Sequence, residues 1–225
     1  VGVNCKGIAC DLLKERSYEE KKSEDGEKTE IVWKDNPALT LVDTIVKEFG
    51  KLDVLITNFD YFDKGRIINA DEQLYVKMRD ENIKPVFHLV AAVRDQWATQ
   101  KKTMNITNKL IMVTSISGKA GLALAALYAA FKSGIVGLNK TLARELGRFA
   151  QVNSVAIGPL ADKKLQGPPD KLKSQYMVTK SDYANLDLTP ELVAGPIAFL
   201  ASDDSNGISG QIINVDGGLW IKVEI

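Results

Sequence analysis

Short apolar runs alternate along this chain with longer stretches in which apolar residues recur every three or four positions. The short runs predict β-strands, and the longer stretches predict amphipathic helices. Strands are expected at residues 1–5, 31–33, 52–58, 110–115, 152–157 and 211–215. Helices are expected at residues 8–16, 38–49, 70–79, 85–100, 128–149 and 190–201. Alternation of strands with helices favours an α/β fold with a mostly parallel sheet.

Three polar residues stand at an informative spacing near the start of the longest predicted helix. Ser115 ends an apolar run, Tyr128 follows it by 13 positions, and Lys132 follows Tyr128 by four. The motif Tyr-x-x-x-Lys has little value alone, because it occurs at two other places in the chain. These are Tyr18 with Lys22 and Tyr176 with Lys180, and neither tyrosine has a serine 13 positions before it.

The chemistry of these three side chains suits a carbonyl substrate. Residues four apart share a helix face, so the Lys132 ammonium should lie near the Tyr128 phenol. A nearby positive charge should lower the Tyr128 pKa from about 10 toward the operating pH, as general acid catalysis requires. The Ser115 hydroxyl could hold the carbonyl, with the nearby Ser117 as the alternative for that role. The pattern therefore predicts carbonyl/alcohol redox chemistry.

At these residues the chain resembles the short-chain dehydrogenase/reductase family. Residues 52–58 are similar to the family's fourth strand, residues 152–159 to its sixth strand and the turn after it, and residues 208–218 to its last strand. Asn82 stands where the family carries a catalytic asparagine. Residues 199–211, together with the helix after the tyrosine, most resemble 3-oxoacyl-(acyl-carrier-protein) reductases. The resemblance implies a doubly wound, mostly parallel sheet of the Rossmann type.

The resemblance also implies a role for each catalytic residue. Ser115 would polarise a ketone, Tyr128 would donate the proton, and Lys132 would lower the phenol pKa and bind the ribose of the cofactor. Asn82 would hold a water that links Lys132 to bulk solvent. The implied reaction reduces a ketone to an alcohol with NADP or NAD, on a small carbonyl or an acyl thioester. An enoyl thioester reductase is less favoured, because that branch spaces its tyrosine and lysine more widely.

A larger group of residues is expected to bind the cofactor. Its members are Lys6, Asn58, Tyr128, Lys132, Gly158 and Leu160. Lys6 follows the predicted strand 1–5, where a basic residue would contact the 2′-phosphate of NADP. The alternative is a solvated lysine at the end of a strand.

The glycine-rich turn that holds a pyrophosphate at a helix N-terminus is missing from the sequence. The first βα unit of the fold is therefore absent from this sequence. We expect about 30 residues, the size of one such unit, to precede residue 1. The other interpretation is a protein that lacks the unit and cannot bind NAD(P).

The sequence departs from the family pattern on the cofactor side of the site. Where the family usually has Asn-Asn-Ala-Gly, this chain has Thr57, Asn58, Phe59 and Asp60. Phe59 adds a bulky ring, and Asp60 adds a negative charge that is unfavourable near phosphates. The Pro-Gly turn after the sixth strand is also changed, with Ile157 before Gly158. These departures fit either a divergent enzyme or a family member that has lost turnover and serves as a scaffold or regulatory partner.

Composition narrows the function classes. The 225 residues suit one domain, 1–225, and the 29 basic and 29 acidic residues give no charge excess for nucleic acid or an anionic membrane. No apolar run reaches the roughly 18–20 residues of a membrane helix. Two cysteines suit a reducing compartment, so we expect the cytosol or an organelle matrix. The single histidine, His88, excludes a histidine-rich metal site.

Two further expectations concern partners. Residues 162–183 carry five lysines and form a candidate substrate lid, whose charge would suit an acidic acyl carrier; a solvated charged face is the alternative.

The helices 85–100 and 128–149 each have a face that the sheet does not obviously use. The first carries Val86, Phe87, Val90, Ala91 and Val93, and the second Ala129, Ala130, Ser133, Gly134 and Gly137. By resemblance these helices would pair with their copies in a homotetramer with two-fold axes.

Overall fold

The computed structural model describes residues 6–13, 17–22, 29–105, 107–160 and 188–220. In chain order its strands are β1 (Ser17–Lys22), β2 (Thr29–Asp35), β3 (Val54–Thr57), β4 (Asn108–Ser115), β5 (Ala150–Ile157) and β6 (Ile212–Val215). Its helices are α1 (Pro37–Phe49), α2 (Glu72–Asn82), α3 (Lys84–Met104), α4 (Ser117–Ala120), α5 (Ala126–Glu145) and α6 (Pro190–Ala201).

A parallel sheet in the order β3-β4-β5-β6 organises the described part of the chain. Strand β4 is buried along its whole length, which agrees with its continuous apolar run. Thr57 at the end of β3 pairs with Met112, and Ser115 at the end of β4 pairs with Ile157 at the end of β5. The carboxyl ends of these strands therefore meet at one edge, where ligands bind in open α/β sheets.

Helices cover both faces of this sheet. Leu110 and Met112 of β4 belong to a buried cluster with Val93 and Trp97 of α3 and Ile135 of α5. The residue between them, Ile111, points to the opposite face and packs in a second cluster with Val193 and Leu200 of α6. This alternation follows from the two-residue period of a strand. It confirms the predicted doubly wound, mostly parallel α/β fold.

The ends of several predicted helices differ from the expectation, and α5, expected at 128–149, spans Ala126–Glu145. Helix α2 begins at Glu72, not at residue 70, because the Asp71 side chain accepts a hydrogen bond from the backbone N–H of Leu74 at 2.8 Å and caps the helix. Helix α3 continues to Met104, four residues beyond its predicted end at residue 100. It ends where Asn105 adopts a left-handed conformation with φ of 54°.

The N-terminal part of the prediction was wrong in two respects. No helix forms within residues 6–13, where only a turn at Leu12 and Leu13 occurs. Strand β2 contains the predicted strand 31–33, but it pairs antiparallel with β1 in a separate two-stranded sheet. Local pairing explains the difference, because Asp25 and Gly26 between the two strands are a turn signal that favours an antiparallel connection. The predicted strand 1–5 lies outside the described residues.

The segment 6–13 contacts helices α1 and α3. The Cys10 thiol donates to the Pro37 carbonyl at 3.4 Å, and Nδ1 of His88 lies 2.8 Å from the Leu12 carbonyl oxygen. Lys6 forms an ion pair with Glu48 near the end of α1.

None of the helices in the described ranges is long and apolar enough to cross a bilayer.

Candidate active site

The turn after β4 positions Ser115. This residue ends the buried strand, and its Oγ accepts a hydrogen bond at 3.1 Å from the backbone N–H of Ser117, the first residue of α4. The Ser115 hydroxyl is also near the phenol of Tyr128, and its influence lowers the phenol pKa and so favours the phenolate form. The structure thus places Ser115 near the tyrosine, and its role in holding a substrate carbonyl stays a prediction. No such contact with Tyr128 is recorded for the alternative, Ser117, whose backbone carbonyl accepts from Gly121 at 2.9 Å.

Helix α5 carries Tyr128 and Lys132 on one buried face. The Lys132 ammonium nitrogen lies 5.3 Å from the centre of the Tyr128 ring. One hydrogen bond attaches the helix to the end of β4 and another attaches it to α4: Thr114 Oγ1 donates to the Lys132 carbonyl at 3.0 Å, and Ser133 Oγ donates to the Gly118 carbonyl at 2.7 Å. These contacts hold the tyrosine and lysine beside the strand end that carries the serine.

Asp60, in the segment after β3, contacts both of these residues. Its Oδ1 lies 2.7 Å from the Lys132 ammonium nitrogen and 3.0 Å from the Tyr128 hydroxyl, which donates to it. Lys132 also donates to the Phe59 carbonyl at 2.8 Å. Two donors, an ammonium and a phenol, therefore converge on one oxygen atom. Sequence reasoning treated Asp60 only as a charge unfavourable to phosphates and missed these contacts, although the departure from glycine had marked the position.

Asn82 anchors the segment that carries Asp60. Its amide nitrogen donates to the carbonyls of Tyr61 at 3.0 Å and Met78 at 2.9 Å, and its Oδ1 accepts from the Tyr61 N–H at 3.2 Å. The side chain is fully buried. Asn82 thus holds the backbone next to Asp60, and its expected role in holding a water stays a prediction.

The electrostatics of the pair differ from the expectation. Burial is the largest cause that raises the Tyr128 pKa above its ordinary value, the negative charge of Asp60 raises it further, and the Ser115 hydroxyl opposes them. Burial also lowers the Lys132 pKa, an effect that Asp60 opposes. The predicted net fall of the Tyr128 pKa is therefore wrong for this arrangement: the pKa is raised, because burial and Asp60 both disfavour the phenolate.

Four other residues are predicted to bind the cofactor: Asn58, Gly158, Leu160 and Lys6. Asn58 is exposed directly after β3, and Gly158 follows β5. A Cβ atom on Gly158 would lie 2.8 Å from the Cα of Asp216, so this close approach requires glycine. Leu160 packs in the apolar cluster beneath α6. Lys6 is paired with Glu48 on α1, and its contact with a cofactor phosphate stays a prediction.

The hydrogen-bond donors of Tyr128 and Lys132, at the carboxyl edge of the sheet, are suited to bind a sugar hydroxyl. Lys132 and Tyr128 already hold one acceptor oxygen between them, and a ribose hydroxyl of a nicotinamide cofactor would satisfy the same two donors. The two residues thus fit the nicotinamide half of such a cofactor, and their binding of it stays a prediction. No group of histidine, cysteine, aspartate and glutamate side chains in the described ranges is arranged to hold a metal ion.

A cavity of about 270 Å³ lies beside this site. Its walls come from residues 63–70 and from residues 124–127, which directly precede Tyr128. The Gly65 N–H donates to the Leu124 carbonyl at 2.7 Å and joins these two segments. The lining combines the apolar Leu74 and Met78 with two basic residues, Lys64 and Arg66, and one acidic residue, Asp63. Sequence reasoning did not identify this cavity, because neither segment has a regular pattern.

Comparisons with known proteins agree with this geometry. The family model described as enoyl-(acyl carrier protein) reductase matches residues 32–220. The chain is 33% identical, over 182 residues, to a 3-oxoacyl-(acyl-carrier-protein) reductase of Staphylococcus aureus, with 80% of this chain and 71% of that protein covered. Proteins with the same description from Staphylococcus epidermidis and Thermotoga maritima are 34% and 31% identical, covering 80% of this chain and 72% and 71% of their own lengths. The chain therefore belongs to the short-chain dehydrogenase/reductase family and is an NAD(P)-dependent oxidoreductase.

Proposed function

We propose that this protein reduces the ketone of a 3-oxoacyl thioester to an alcohol, with NADPH as the preferred cofactor. The observation that carries the proposal is the convergence of the Ser115 hydroxyl, the Tyr128 phenol and the Lys132 ammonium at the carboxyl edge of the sheet. This set provides a hydrogen-bond donor for a carbonyl oxygen, an acid for its proton and a cation to hold the cofactor ribose.

The proposed mechanism assigns one task to each side chain. Ser115 donates a hydrogen bond to the substrate ketone and orients it. Tyr128 gives its phenolic proton to the ketone oxygen as the alcohol forms. Lys132 holds the ribose of the cofactor and stabilises the phenolate left on Tyr128. When bound, the cofactor supplies the hydride that reduces the carbonyl carbon.

Two observations favour a 3-oxoacyl over an enoyl substrate. The relatives described above are named as 3-oxoacyl reductases, although the matching family model carries the enoyl description. The spacing of four positions between Tyr128 and Lys132 also differs from the wider spacing of the enoyl branch. The apolar part of the adjacent cavity suits an acyl chain, and its two basic residues against one acidic residue leave a positive charge for an anionic carrier group. The candidate lid 162–183 lies outside the described residues and stays a prediction.

We expect the protein to oxidise NADPH when it is supplied with an acetoacetyl thioester, because the ketone can accept the proton of Tyr128. The loss of NADPH absorbance measures the reaction. The matched controls are a butanoyl thioester, which lacks the ketone, and a 2-butenoyl thioester, which an enoyl reductase would reduce. Turnover of the butenoyl compound alone would move the assignment to the enoyl branch. A complete lack of turnover and of thermal stabilisation by NADPH or NADH would favour a scaffold or regulatory role.

We also expect a homotetramer in solution. On α5 the small residues Ala130, Ser133 and Gly137 form an exposed stripe, which permits close approach of a second helix. On α3 the expectation needs correction, because Val86, Val90 and Val93 are buried against the sheet and only Phe87 and Ala91 remain exposed. Light scattering at micromolar concentration should give about four times the mass of one chain. The mass of a single chain would contradict this expectation.

A further inference from the structure

The carboxylate of Asp60 occupies the position at which the catalytic pair would hold its ligands. The Tyr128 hydroxyl directs its proton to Oδ1 of Asp60 at 3.0 Å, and the Lys132 ammonium lies 2.7 Å from the same atom. The proposed reaction needs that proton at the ketone oxygen and that ammonium at the ribose. Because the phenol has a single proton, the contact of Tyr128 with Asp60 and proton transfer to the ketone are mutually exclusive, while at Lys132 the carboxylate competes with the ribose for the ammonium.

Asp60 has room to move away from this position. Its side chain is 50% exposed, whereas that of Lys132 is only 3% exposed, so the carboxylate covers the pair from the solvent side. The backbone around it is fixed independently, because the Asn82 amide oxygen accepts from the Tyr61 N–H, the Asn82 amide nitrogen donates to the Tyr61 carbonyl, and Lys132 donates to the Phe59 carbonyl. Rotation of the Asp60 side chain into solvent thus needs no change in the backbone.

We propose that Asp60 is an autoinhibitory residue, whose carboxylate occupies Tyr128 and Lys132 until the cofactor and substrate displace it. The inference rests on the proposed function of this pair. It explains how a carboxylate can stand where the family usually has glycine without removing any of the residues that perform the chemistry. Its consequence is that each ligand oxygen must compete with a charged acceptor, so ligand binding is weaker than the pair alone would permit.

The inference also predicts how the phenol of Tyr128 titrates. From outside its own helix this phenol faces the Ser115 hydroxyl on β4, the Asp60 carboxylate after β3 and the edge of the Phe62 ring at 4.9 Å between ring centres. On its own helix it faces Lys132. Asp60 is the negative charge among these groups, and a negative charge disfavours the phenolate. Removal of this charge should therefore lower the Tyr128 pKa.

The test uses Asp60→Asn, which keeps the size of the side chain and removes its charge, and Asp60→Ala as a second variant. The matched control is Asp53→Asn, which removes a charge before β3, where Asp53 pairs with Lys51 at the surface. In protein labelled with ¹³C at the tyrosine ring, the Tyr128 signal is assigned by its absence in Tyr128→Phe. We expect this signal to begin its ionisation shift at lower pH in both Asp60 variants than in the wild type or the control.

The kinetic expectation is an increase of roughly 3- to 10-fold in kcat/KM for the thioester in the Asp60 variants, since a half-exposed charged contact contributes modestly. A titration of Tyr128 that is unchanged in both folded Asp60 variants would overturn the inference, whether or not the protein is a reductase. A fall in kcat/KM would also overturn it, because Asp60 would then assist turnover. A shifted titration in a protein that reduces no thioester would support the Asp60 contact and refute the proposed function.

Discussion

Replacement of Tyr128 by phenylalanine is expected to lower turnover by about 10²- to 10⁴-fold, the range in which a general acid contributes. The variant lacks the phenolic proton that the ketone oxygen needs. Its ring should keep its place, because it packs edge-on against Phe62 and belongs to a buried cluster with Met78 and Ala125. The hydrogen bond lost to Asp60 involves a half-exposed carboxylate that water can solvate. The fold should therefore survive the substitution.

A steady-state assay with NADPH and an acetoacetyl thioester measures this effect, and circular dichroism checks the fold. Tyr75→Phe is the matched control, because it removes a phenolic hydroxyl from an exposed tyrosine on α2 and should leave turnover unchanged. If the Tyr128 variant keeps nearly full activity while folded, the acid must be another group and the assigned role of Tyr128 is wrong.

Replacement of Gly118 by alanine is expected to destabilise the protein and to reduce its activity. A Cβ atom at this position would lie 2.6 Å from the carbonyl carbon of Lys132 and 2.8 Å from the backbone nitrogen of Ser133. Both are backbone atoms of α5, so the clash cannot be relieved by turning a side chain. We expect a loss of about 3 kcal/mol in the free energy of unfolding, at the upper end of the range for overpacking. Turnover should fall as well, because relief of the clash moves the helix that carries Lys132.

Urea denaturation measures the change in stability. Gly195→Ala is the matched control: Gly195 is exposed on α6, and beyond its chain neighbours and the backbone of its own helix no atom lies within 4 Å of the added Cβ. That substitution should change the free energy of unfolding by less than about 1 kcal/mol, because the helix preference of alanine is offset by the contact of its Cβ with Pro196, the next residue. Equal stability of the Gly118 variant and the wild type would show that α5 is not held against the turn after β4 as described.

The sequence by itself determined most of the layered architecture and the core of the candidate site. The periods of apolar residues are local properties, so the strands of the parallel sheet and the helices α1, α3, α5 and α6 could be predicted from them. Ser115, Tyr128 and Lys132 could be found for a related reason. Their offsets depend on a strand end and on one helical turn, and both are set by residues close in sequence.

Only the tertiary structure decided what surrounds these residues. Asp60 and Tyr128 are 68 positions apart, and no periodic pattern indicates that a segment after β3 folds over α5. The direction of the Tyr128 pKa shift depends on burial and on that carboxylate, whereas the sequence showed only the adjacent lysine. The pairing of β2 with β1 could not be predicted either, because the hydrophobic pattern identifies strands but not the strands with which they pair. The physical reason is common to these cases: hydrophobic periodicity reports which face of an element is buried, while contacts between loops, desolvation and strand pairing arise from packing between distant segments.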